Sequence, residues 1–174
     1  MRLWLDFETR SEADLRTVQA DVYTRHESTQ ALMLAWAIDN DPVAVTEGEF
    51  LPPLLIEMLA DPGTQKIAWN APFEIAVLLH RFGIHTSYGH WFDPMIFARY
   101  LTLPATLAGC SAALGLEVQK DTRGKRLLRM FSQPARATAK QIKDGLPSAY
   151  WRDAASDPED WAALSSTTAG PMSP

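Results

Sequence analysis

The chain has 174 residues, 47% of them hydrophobic and 21% charged, with a formal net charge of −5. That suffices for one domain with a hydrophobic core. The single cysteine, Cys110, excludes an internal disulfide framework and a cysteine-based zinc cluster. Met1-Arg2-Leu3-Trp4-Leu5-Asp6 meets charge too early for a signal peptide, and no apolar run is long enough to span a bilayer. These features predict a cytoplasmic protein with no membrane partner.

Arg2 to Asp6 reads as a short buried strand that runs into an acidic turn. Leu32 to Ile38 is a second apolar run. Asp39-Asn40-Asp41-Pro42 is a turn signal, and Val43 to Thr46 follows as a third strand, so these strands form a meander. Pro52 and Pro53 open a helix with Leu54, Leu55, Met58 and Leu59 at helical spacing, and Asp61-Pro62-Gly63 stops it. Lys66 to Trp69 is a fourth strand. Pro72 suits the first turn of a helix that ends at Gly83. Trp91-Phe92 is a short fifth strand, and Pro94 opens a helix through Leu101. Ala105 to Leu114 is a further helix, and Lys125 to Phe131 a basic one. Ser132 to Asp157 is polar with several prolines, which predicts a long loop. A meander followed by alternating strands and helices indicates an α/β domain with a mixed five-stranded sheet flanked by helices.

The negative net charge is unevenly spread. Between Lys120 and Lys143 stand Arg123, Lys125, Arg126, Arg129, Arg136 and Lys140, with Asp121 the one acid. Such a stretch suits phosphate, though a solvated helix face is the ordinary reading of a charge run.

Asp6 and Glu8 are the chemical signal. Residues two apart on a strand point to the same side, so both carboxylates project together from the end of an apolar strand. Like charges held this close repel, and a divalent cation relieves that repulsion. The bland alternative is a solvated turn. Glu74 lies in the first turn of a helix whose Val77 and Leu78 share its face, so that face turns inward. A carboxylate there needs a partner, although favourable contact with the helix dipole is a sufficient reason for an acid at that position. Asn70 reads as that helix's cap and Asp93 as the cap of the helix at Pro94. His80, His85 and His90 have no metal-ligand spacing. No Gly-rich phosphate loop, G-x-S-x-G or H-E-x-x-H is present.

Leu5-Asp6-Phe7-Glu8-Thr9 resembles the first motif of the DEDD exonuclease superfamily, proofreading nucleases with a ribonuclease H-like fold. Trp69-Asn70-Ala71-Pro72-Phe73-Glu74 resembles the second motif, with Glu in place of the usual Asp. Together with Leu-Met-Leu-Ala-Trp-Ala from Leu32, Leu103-Pro104 and Ala112-Ala113-Leu114-Gly115-Leu116, these segments look like the amino-terminal part of phage-type family A DNA polymerases. The resemblance implies two divalent cations, Mg²⁺ or Mn²⁺. Asp6 would bridge both, Glu8 would hold the first and Glu74 would support the second. It implies Thr9, Asn70 and Phe73 around the terminal nucleotide, with Lys125 and Arg126 on the strand. The implied partner is a single-stranded DNA 3′ end, with a polymerase domain in an intact relative and a bacterial or phage-infected cell as the setting.

The likeness covers residues 1–162, an exonuclease-like domain expected to be truncated at its carboxyl end. The superfamily places a fourth carboxylate on a late helix, in the polymerase branch as Tyr-x-x-x-Asp. Here Ala163 to Pro174 contains neither a Tyr nor an acid, and reads as an aberrant, disordered tail. One choice of synonymous codons for this tail, read in another frame, spells Ala-Phe-Val-Asp-Tyr-Cys-Arg-Ala-Asp-Val-Ala. The expectation is therefore a frameshifted tail and impaired catalysis. Two alternatives stand beside it: a non-catalytic nucleic-acid-binding relic, and a free-standing DEDD-type ribonuclease. The ribonuclease branch carries a late His, and no His follows His90.

Overall fold

The computed structural model describes residues 1–116 and 122–168. Lys120, Asp121 and the last six residues of the tail lie outside them. Leu3, Leu5, Phe7 and Thr9 alternate with more polar neighbours, and this alternation makes the first strand, β1 (Arg2–Arg10), two-faced. It extends four residues beyond Asp6, so the acidic pair sits within the strand and not in a turn.

β1 is the centre of a five-stranded sheet of order β3-β2-β1-β4-β5. β2 (Gln30–Ile38) pairs antiparallel with β1 and with β3 (Ala44–Glu47), which is the expected meander. β4 (Gln65–Ile67) and β5 (Trp91–Phe92) add parallel to the other edge of β1. The reversal of strand direction on either side of β1 is the kind of place where open sheets bind ligands, at the strands' carboxyl ends.

Helices cover both faces. On one face, α2 (Pro53–Ala60) and α3 (Ala71–Phe82) bury Leu55, Met58, Leu59, Val77 and Leu78 against Leu3, Leu5 and Phe7. Gly83 ends α3 in the left-handed conformation, φ 67°, and donates to the Leu79 carbonyl, while Ile84 donates to that of Leu78. A short helix that periodicity did not reveal, α1 (Ala20–Arg25), is tied to α3 by His80 Nε2 and Asp21 Oδ1 at 2.9 Å. On the other face, α6 (Thr122–Ser132) and α8 (Pro158–Thr168) place Leu127, Phe131, Trp161 and Leu164 on Leu32 and Met33. Phe131 and Trp161 meet edge to face, 5.0 Å between centroids, and Trp161 Nε1 donates to Glu47 Oε2 at 2.9 Å. In the chain, α4 (Pro94–Tyr100) and α5 (Leu107–Ala113) follow β5.

Two expectations are corrected. The segment read as a long loop holds α7 (Ala139–Lys143) and a hairpin of β6 (Ala135–Arg136) and β7 (Ala149–Tyr150). Strands of two residues carry no readable alternation, and α7 is fixed by a Thr138–Gln141 capping box that composition alone did not suggest. The tail is helical as far as Thr168, because Leu164, 2% exposed, continues the buried stripe that Trp161 begins.

Candidate active site

Asp6 and Glu8 leave β1 on the side opposite Leu5 and Phe7, and pair across the ladder with Ala35 and Met33. Asp6 keeps solvent access at the bottom of a concave cleft, while protein surrounds it on the remaining sides. Burial raises its carboxyl above the ordinary range. Glu8 is half-buried and pushed up to about 8, first by burial and then by the negative charge of Asp6.

Glu74 completes the group from α3. It is 2% exposed and raised well above its usual range, chiefly by burial and then by Asp6. Backbone N–H groups of Glu74 itself and of Phe7 act in the opposite sense, so the side chain reaches toward β1 between the two acids. Its Oε2 is buried without a hydrogen-bond partner among the described residues. An orphaned carboxylate oxygen in a three-carboxylate neighbourhood has the donor chemistry of a hard divalent cation site. The side chains do not yet converge into a closed ligand cage among the described residues.

Asp93 explains how Glu74 is placed. Its Oδ1 accepts from the Asn70 N–H at 3.0 Å and the Met95 N–H at 2.9 Å, and its Oδ2 from the Ala71 N–H at 3.1 Å. One carboxylate therefore caps both α4, as expected, and α3. Asn70, expected to cap α3, sits at φ 69° with no side-chain cap bond, and its exposed side chain faces the cleft. Asp93→Ala strands three backbone donors and is expected to lower stability by about 2–4 kcal/mol in chemical denaturation, with Asp93→Asn in between. A loss below about 0.5 kcal/mol would remove Asp93 from this role.

The cleft has two compartments. Asp6, Asn70 and Glu74 line one of about 600 Å³. Glu8 and Thr9 line the other, of about 630 Å³. Phe7, Leu15 and Phe73 border both; the Phe7 ring is buried in the core, and Phe73 is the half-buried aromatic between them. Thr9 hydrogen-bonds Tyr23 Oη at 3.0 Å, and the Tyr23 and Phe73 rings lie 6.1 Å apart, so an unforeseen tyrosine supports two expected site residues. Lys125 and Arg126 are exposed on α6 and line neither compartment; Leu128 is the α6 side chain that does. Tyr150 and Trp151, from the segment read as a loop, also line the Glu8 side.

A mixed sheet with an acidic cleft at the end of its central strand defines a ribonuclease H-like fold of the kind found in DEDD nucleases. The chain is 33% identical over 165 residues to a DNA polymerase of Bacillus phage SP02, an alignment that takes in 91% of this chain and the polymerase's amino-terminal part. The chain spans 24% of that polymerase. Among solved structures, Brucella melitensis NrnC with bound Mg²⁺ superposes with a TM-score of 0.50 at 17% identity, covering 96% of this chain and 72% of NrnC. NrnC bound to pGG gives 0.51 at 16% identity, covering 97% and 78%. A structure described as the apo form of a nuclease gives 0.50 at 22% identity, covering 97% and 82%. No protein-family model matches the chain. The solved neighbours, at 16–22% identity, share the fold of this chain, and the sequence relative aligns with it through its amino-terminal part.

Proposed function

We propose that this chain is a metal-dependent proofreading domain that removes nucleotides from the 3′ end of single-stranded DNA. The observation that carries the reading is Glu74, a buried carboxylate with an orphaned oxygen beside Asp6. The alignment with a phage polymerase, and the Mg²⁺ and pGG in the NrnC structures, support the choice of chemistry. In this reading Asp6, Glu8 and Glu74 hold two divalent cations, Mg²⁺ or Mn²⁺. Bound there, the cations supply the positive charge that activates water and stabilises the leaving oxygen.

The protein's own groups do the rest. Asp93 holds the amino-terminal turn of α3, and so Glu74, against β1. Phe73, half-buried between the two compartments, is an apolar surface on which a terminal base and sugar rest. Thr9 is fixed by Tyr23, and Asn70 offers its amide to the substrate. Lys125 and Arg126, exposed and outside the cleft lining, meet the strand farther out. The natural partner is a polymerase domain such as the relative carries, in the cytoplasm of a bacterial or phage-infected cell. Among the described residues no helix is long and apolar enough to cross a membrane.

A second reading, a module that binds nucleic acid without cleaving it, is favoured by residues 163–174, which supply neither a Tyr nor a fourth acid. Metal-dependent shortening of 3′-labelled single-stranded DNA tests the choice. Residual shortening that Asp6→Ala lowers by at least roughly a hundredfold supports the first reading. Binding without shortening supports the second, and neither binding nor shortening refutes both.

A further inference from the structure

The compartment beside Glu8 has a second wall that the motif series does not supply. Besides Glu8, Thr9 and Phe73, the compartment is lined by Leu128 and, from the end of the β6–β7 hairpin, Tyr150 and Trp151. The hairpin is small. It pairs Ala135 with Tyr150 and Arg136 with Ala149, and the Ala137 N–H adds a bond to the Ser148 carbonyl at 3.0 Å. A two-stranded ribbon of this size is marginal on its own.

β1 holds it in place. The Arg10 guanidinium lies 5.1 Å from the centroid of the Trp151 ring and donates to the Arg152 carbonyl at 2.8 Å. Two further bonds to Gln30 Oε1, at 2.8 and 2.6 Å, fix the guanidinium on the sheet. Arg10 is two residues beyond Glu8 on the same strand. The hairpin is thus set at a defined distance from the acids. Tyr150 and Trp151 remain half-exposed, so their rings are not spent on core packing. Aromatic faces across a cleft of this volume suit an unstacked nucleobase, whose own ring face is available whatever the base.

We propose that the β6–β7 hairpin is a nucleobase-stacking wall, with Tyr150 and Trp151 as the stacking side chains and Arg10 as the positioning residue that holds them over the cleft. The proposal rests on the exonuclease reading and names how the strand is gripped. Substrate enters between two apolar walls, with Phe73 beneath one base and the hairpin against it or its neighbour. Because stacking tolerates every base, the grip is expected to be indifferent to sequence.

The test uses the full chain and a short single-stranded oligodeoxynucleotide carrying 2-aminopurine at its last or next-to-last position. Ca²⁺ replaces Mg²⁺ so that the strand is retained. Stacking quenches the probe. Trp151→Leu and Tyr150→Leu keep apolar bulk and remove the ring face. Each is expected to weaken binding roughly 5- to 150-fold and to restore emission at one probe position. Trp151→Phe keeps the quench, and Arg10→Gln, which only loosens the hairpin, gives a smaller loss of the same signal. Wild-type affinity and quenching in both leucine variants would overturn the wall while leaving the exonuclease reading intact. Failure of the wild-type chain to bind any oligonucleotide would overturn that reading, and the wall with it.

Discussion

Without divalent cations the chain loses stability as pH rises from about 4.5 to about 8, and Mg²⁺ or Mn²⁺ reverses the trend. The sign follows from Glu8, whose carboxyl is raised from 4.5 to about 8 in the folded protein. The folded state holds a proton that the unfolded chain releases. Its contribution is therefore complete below about 4.5 and lost as pH climbs through about 8. Burial pushes Asp6 and Glu74 in the same direction. After allowance for solvent at the half-buried Glu8, the loss is on the order of 1–2 kcal/mol, or roughly 2–8 °C in Tm for a chain of this size. A cation that binds only the folded, deprotonated site adds stability by mass action, and adds more of it at higher pH. Glu8→Gln should flatten the metal-free profile, and Glu74→Gln should raise metal-free stability at high pH while abolishing the metal shift. Thermal unfolding across this window, with EDTA or with cation, reads all three. A flat metal-free profile with no cation response would remove the metal site.

The second large effect concerns the last helix. Replacing residues 163–174 by Ala-Phe-Val-Asp-Tyr-Cys-Arg-Ala-Asp-Val-Ala supplies two acids and a tyrosine that this segment lacks, in the Tyr-x-x-x-Asp spacing. The start of the last helix is already docked, since Trp161 packs with Met33 beside the face from which Glu8 projects, and the replacement keeps an apolar side chain, Phe, where Leu164 now stands. Metal-dependent removal of 3′ nucleotides is expected to rise at least roughly a hundredfold, the usual scale for gaining a positioned acid–base group, and to vanish again with Asp6→Ala. Equal rates for the two chains would mean that residues 1–162 already contain what the chemistry needs. The encoding nucleotide sequence gives an independent check of the frameshift idea, because it either spells that peptide in another frame or does not.

Much of this site was legible because its signals are local. Asp6 and Glu8 share a strand, so their common direction follows from a period of two, and Pro72 and Gly83 bracket the helix that carries Glu74. The long-range groups were not legible. Asp93 looked like the cap of its own helix, and its bonds to Asn70 and Ala71 span more than twenty positions, which no local pattern encodes. Tyr23 sits on a six-residue helix too short to show an apolar stripe. Tyr150 ends a two-residue strand and Trp151 follows it, and their position depends on Arg10, at the far end of the chain. On α6 the exposed Lys125 and Arg126 line neither compartment, and the apolar Leu128 is what turns toward the cleft.

The pairing of β1 with β2 breaks register between Glu8 and Thr9, whose partners are Met33 and Ala31. Leu32 is thus an extra residue on β2, and it shares with Met33 the core beneath α6 and α8, while Ala31 and Leu34 join the core on the opposite face. Two consecutive side chains on one face are possible only at such a bulge. The length of β2 is therefore as constrained as its composition. Loss of the single residue Leu32 would leave every motif intact in sequence, yet shift one half of the strand against the other beside Glu8. Gains and losses of residues in this lineage should accordingly collect in the connections around the sheet and spare this strand, even though its side chains never reach the cleft.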